Sequence, residues 1–106
     1  MQVNVLGTEY TIFRQTEDEN PRLKKVTGYC EPYAKKIVVE IVKPDEMTVE
    51  DVDEFQKKVL RHEIVHAFLI ESGLSESCEW ATEENVDWIA RQIQKMYIAM
   101  KAAGCL

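Results

Sequence analysis

Apolar and polar residues alternate along the first part of the chain and then change period. In "QVNVLG" and "EYTIFRQ" the alternation runs either side of Gly7 and Thr8, which predicts a β-hairpin. "VTGYCEPYA" and "KKIVVEIVK" predict a second pair of strands, the latter rich in the β-branched residues that suit a pleated surface. Pro44 is expected to end that last strand. Between the pairs, "TEDENPRLKK" reads as a loop with at most one helical turn. "IVVEIVK" is open to two readings: a sheet edge that accepts an extended peptide by strand addition, or an ordinary core strand.

The second half has helical spacing. Thr48 followed by Asp51 offers a capping-box start, and Glu50, Asp51, Asp53 and Glu54 suit the positive end of a helix dipole. The pattern continues through Phe55, Val59 and Phe68 to a natural stop at Gly73, a helix of roughly 36 Å. A second helix is expected to begin between Glu79 and Glu83 and to run to about Lys101, burying a stripe of Val86, Ile89, Ile93, Met96 and Met100. The expected fold class is α+β: a small antiparallel β-sheet of N-terminal strands packed on two main C-terminal helices. With 106 residues, one domain over positions 1–106 is expected.

Composition narrows the class. A hydrophobic share of 45% with 30% charged residues is that of an ordinary globular chain. The longest apolar run, "IVHAFLI", is too short to span a bilayer, and "MQVNVLGTEY" has no signal-peptide pattern, so no membrane partner and a cytoplasmic location are expected. The net charge of −6, with no gathered bases, argues against nucleic acid as a partner. Cys30, Cys78 and Cys105 are odd in number and widely spaced, so neither a disulfide framework nor a CxxC unit can be drawn from them.

The chain's only two histidines stand four apart in "RHEIVHAFL", with Glu63 directly after the first. Positions i and i+4 of a helix lie about 40° apart around the axis, so His62 and His66 project side by side and can both approach one Zn²⁺. Glu63 then lies beside the metal without binding it, placed to take a proton from metal-bound water. With fourteen glutamates in the chain, chance produces this HExxH arrangement roughly twice in a thousand such sequences. The competing reading is a buried, hydrogen-bonded histidine pair, which accounts for neither the spacing nor the carboxylate.

A catalytic zinc site takes three protein ligands. With no third histidine, a carboxylate must complete it, and "EWATEENVDWIA" is the richest source. Glu83 and Asp87 fall at i and i+4 on the side shared with Ala90, whereas Glu84 lies with Trp88 and Arg91. Glu83 as ligand and Asp87 as the partner of a histidine's second N–H is the consistent assignment. If Thr82 caps the helix, both glutamates lie in its first turn, where the backbone can exchange their directions.

HExxH followed by ExxxD resembles the gluzincin pattern of zinc metallopeptidases. The arrangement looks most like the ImmA/IrrE-type and related phage or prophage metallopeptidases, whose second motif is matched here by Glu83, Asp87 and Ala90. The resemblance covers roughly residues 36 to 93. It implies a minimal zincin-like architecture, one Zn²⁺ per chain, peptide-bond hydrolysis in a protein or peptide substrate, and, as in several members, repressor-like regulators as substrates. Larger gluzincins stabilise the oxyanion with an extra His or Tyr; this chain has no spare histidine, and Tyr29, Tyr33 and Tyr97 are undistinguished alternatives. Beside the peptidase stand two other readings: a zinc-binding but catalytically idle interaction or regulatory protein of a phage or other mobile element, and a metal-free structural domain. An intact Glu63 favours chemistry, because a purely structural site needs no such carboxylate.

Overall fold

A computed structural model describes residues 1–43 and 49–106. The expectations placed on Pro44 and Thr48 lie outside the described residues. Strands β1 (Gln2–Val5) and β2 (Thr8–Gln15) form the first hairpin. Its turn, Leu6 and Gly7, has positive φ at both positions, the geometry whose twist matches that of paired strands. The loop that follows contains one 3₁₀ turn, Pro21–Lys24, which buries Leu23. Strand β3 (Gly28–Glu31) then pairs antiparallel with β4 (Lys36–Glu40).

The sheet is α+β in setting but mixed, not wholly antiparallel. Its order is β1-β2-β4-β3, and β2 runs parallel to β4 with Ile12 opposite Ile37. The chain passes from β2 to the far edge as β3 and returns as β4 between the two. This settles the double reading of "IVVEIVK" in favour of a core strand: Ile37, Val38 and Val39 are all fully buried and paired on both sides. Consecutive apolar residues demand apolar cover on both faces, which only an interior strand receives.

Helix α1 (Val52–Glu71) is capped by Asp51, whose side chain accepts from the Glu54 N–H. At 20 residues it is about 30 Å long. A single turn, α2 (Leu74–Ser77), leads to α3 (Glu83–Ala102), capped by the Thr82 hydroxyl. Helix α1 lies on the sheet through β1, β3 and β4, and α3 packs against α1. Val59, Glu63 and Ala67, spaced by four, form the buried face of α1, with Val5, Tyr10 and Ile12 among the core residues beneath it.

The stripe expected on α3 is buried only in part. Val86 and Ala90 are inaccessible, but Ile93, Met96 and Met100 are each about two-fifths exposed. The contacts between the helices fall near the middle of α1: the Arg61 Nε donates to the Ala90 carbonyl at 2.7 Å. Beyond that point α3 has left its cover. Among the described residues, no helix is long and apolar enough to cross a membrane.

Candidate metal centre

Two helices build the site. One turn of α1 sets His62 and His66 side by side, their Nε2 atoms 3.2 Å apart. The first turn of α3 brings Glu83 across, with Oε2 at 3.1 Å from His62 Nε2 and Oε1 at 2.7 Å from His66 Nε2. The three ligand atoms lie within 4.8 Å of one another, and this group can hold a metal ion. Donors around a tetrahedral ion with 2.0–2.1 Å bonds are about 3.3 Å apart. The histidine nitrogens, and His62 with Glu83, already stand near that separation; the shorter His66–Glu83 distance is that of a hydrogen bond.

The protonation pattern leads to the same place. Asp87 Oδ1 lies 3.1 Å from His62 Nδ1. The Arg91 guanidinium at 2.6 Å and the Lys58 ammonium at 3.1 Å hold the Asp87 carboxyl far below the usual carboxylate range, so it can only accept. His62 therefore donates from Nδ1, and its neutral form turns the Nε2 lone pair toward Glu83 and His66. A lone pair and a carboxylate oxygen facing each other at 3.1 Å repel unless a cation, proton or metal, lies between them. Burial lowers the basicity of His66 against the pull of the Glu83 carboxylate, which disfavours its charged form; the neutral ring can still donate from Nε2 to Glu83 at 2.7 Å.

Glu63 points the other way, into the wall shared with the sheet. It is the buried charged residue of the core, only 7% exposed. Burial, reinforced by the Glu83 charge and opposed by His62 and Lys58, pushes its carboxyl up to about 7. Glu63, His62, Glu83, Asp87 and Lys58 line one cleft of about 380 Å³, closed on its far side by residues 25–28 ahead of and within β3.

The residues singled out from sequence are brought together here: His62, His66, Glu83 and, in the cleft wall, Glu63, with Asp87 behind His62. Glu84 is exposed and outside the group. None of the three tyrosines lines the cleft: the Tyr29 hydroxyl receives the Asn20 amide at 2.8 Å, Tyr33 is almost wholly exposed, and Tyr97 lies under Lys101. Two contributors had not been foreseen. Lys58, four residues before His62, shares its helix face, a spacing that marks it as a neighbour of whatever His62 meets. Gly28 brings β3 against α1; a Cβ there would stand 2.8 Å from Val59 Cγ1 and 3.5 Å from Glu63 Cγ, and no local sequence signal announces that approach.

The chain matches no family model, no curated protein and no solved structure.

Proposed function

We propose that this protein is a zinc-dependent metallopeptidase of the type suggested by the HExxH and ExxxD motifs, hydrolysing a peptide bond in a protein substrate. One observation carries the reading: two imidazole nitrogens and a carboxylate from separate helices converge within 4.8 Å of one another, and a buried carboxylate, Glu63, lines the cleft with His62 and Glu83. Two nitrogens and one oxygen are a zinc-type donor set that leaves a fourth position open. Zinc held there would supply Lewis acidity and lower the pKa of water. His62 and His66 would hold the metal through Nε2, with Glu83 opposite, and Asp87 fixes the His62 ring by accepting from Nδ1. Glu63, whose carboxyl is poised near neutrality, takes the proton from the attacking water and returns it to the leaving amine. The likeness to the ImmA/IrrE-type enzymes rests on the motifs alone.

The test is elemental analysis followed by digestion of a proteome-derived peptide library read by mass spectrometry. Zinc at one per chain is expected, with cleavage lost on chelation. Glu63→Gln should keep the zinc while cleavage falls by about 10²- to 10⁴-fold. Zinc-loaded protein that cuts nothing, or a Gln variant as active as the parent, would sink the peptidase reading.

A further inference from the structure

The second half of α3 carries a surface that its own chain leaves open. At 100° per residue, Ile89, Ile93, Met96, Tyr97 and Met100 fall within about a third of the helix circumference. The stripe starts in contact with α1 and continues, 39–53% exposed from Ile93 onward, past the end of that cover. At its start it joins an apolar groove of about 360 Å³ between the helices, walled by Ile64, Val65, Phe68, Leu69, Ile89 and Ile93.

Area, flanking residues and charge together select the occupant. Four large side chains, Ile93, Met96, Tyr97 and Met100, exposed to this degree present about 350 Å² of apolar surface, on the order of 200 Å² being available from each. A standard interface buries about 800 Å² per partner, of which a little over half is apolar, so the stripe together with the groove it joins, where Phe68 is also exposed, matches the need of a stable dimer. The stripe is flanked by Gln92, Gln94 and Ala99, with Lys101 the one charge at its border, over the Tyr97 ring, while Arg91 and Lys95 lie on the opposite side, so a close approach of two such faces meets little charge. Along its length α3 is polarised: Glu83, Glu84 and Asp87 are its only acids and precede Arg91, Lys95 and Lys101, its only bases. Antiparallel pairing sets opposite charges together, and parallel pairing sets like charges together.

We propose that this face is the contact between two copies of the chain, with the two α3 helices antiparallel and the exposed stripe of each laid over the α1–α3 groove of the other. The interface is isologous, as a two-fold axis requires. It does not depend on the peptidase reading or on bound metal.

Sedimentation equilibrium of the full chain at about 50 µM is expected to give twice the 12.3 kDa chain mass. The double substitution Met96→Glu and Met100→Glu should give the single-chain mass with unchanged helical circular dichroism, dissociation being favoured by about 100-fold or more. Ile98→Glu, on the opposite side of the helix, should leave the dimer intact. If the double variant loses helicity, Tyr97→Asp at a half-exposed position takes its place. A single-chain mass for the parent protein, a dimer that survives the stripe substitutions, or a one-chain species that floats with anionic vesicles would each overturn the proposal, the last in favour of a lipid surface.

Discussion

Two carboxylates reach across the molecule from opposite sides of α1, and their surroundings differ in kind. Glu71, at the helix end, accepts from the Tyr10 hydroxyl at 2.7 Å and from the Lys35 ammonium at 2.9 Å, so each of these contacts joins a donor to an acceptor. Glu83, reaching the middle of α1, meets two imidazole nitrogens that themselves face each other at 3.2 Å. The first network is complete as it stands and ties the β1–β2 hairpin and the β3–β4 turn to the helix. The second gathers three possible metal donors around at most one shared ring proton, between His66 and Glu83, so it has room for a cation that the first lacks. Polar residues that close on one another serve the fold, and polar residues that leave one shared charge unmet serve a ligand.

The contrast breaks most sharply under ligand removal. His62→Ala, His66→Ala or Glu83→Ala should weaken zinc affinity by more than the roughly 10- to 100-fold expected for Asp87→Asn, which removes only the partner of His62. Glu84→Ala should leave it unchanged. Competition with a chromophoric chelator measures all five, and a larger loss for Glu84→Ala than for Glu83→Ala would move the third ligand.

At the other end, Tyr10→Phe should leave zinc affinity untouched and cost about 1–2 kcal/mol of stability, because it removes a hydrogen bond to a charged acceptor. For a domain of this size that is a fall of roughly 5–10 °C in Tm. A Tyr10→Phe protein that melts like the parent would show that the Glu71 network contributes nothing to holding the hairpin.

The smallest effects are slopes of stability against pH in chelator-treated protein. Hydrogen bonds from Tyr10, Lys35 and Thr8 lower the Glu71 carboxyl to about 2. The folded state then binds fewer protons than the unfolded between pH 2 and 4.5, so this stabilisation is present above 4.5 and is lost as pH falls toward 2. Glu63, raised to about 7 by burial, has the opposite sign: the folded state holds the extra proton between 4.5 and 7, and stability falls as pH rises through that window. Denaturant titrations of parent and Glu63→Gln isolate this slope from that of His66, whose lowered basicity works against it. Identical pH profiles for the two proteins would mean that Glu63 is solvated, not buried.

Much of this was legible in the chain because it is local. The pairing of His62 with His66, the place of Glu63 between them, and the common side of Glu83 and Asp87 follow from the helical repeat, which α-helical hydrogen bonding imposes wherever the helix forms. The two hairpins, the 3₁₀ turn after Asn20 and the Thr82 cap are likewise short-range consequences of turn residues, proline and hydroxyl. What the tertiary structure decided is what depends on distant partners. Strand β4 lies between β2 and β3, parallel to one and antiparallel to the other, and neither the alternation nor the β-branched content of "KIVVE" encodes which neighbours it takes. Lys58 and Gly28 belong to the cleft only because α3 and β3 arrive beside α1. The stripe on α3 has one period from Val86 to Met100, yet its first half is buried and its second is not. Periodicity states which side of a helix is apolar, and only the position and length of the element across from it determine how far that side is covered.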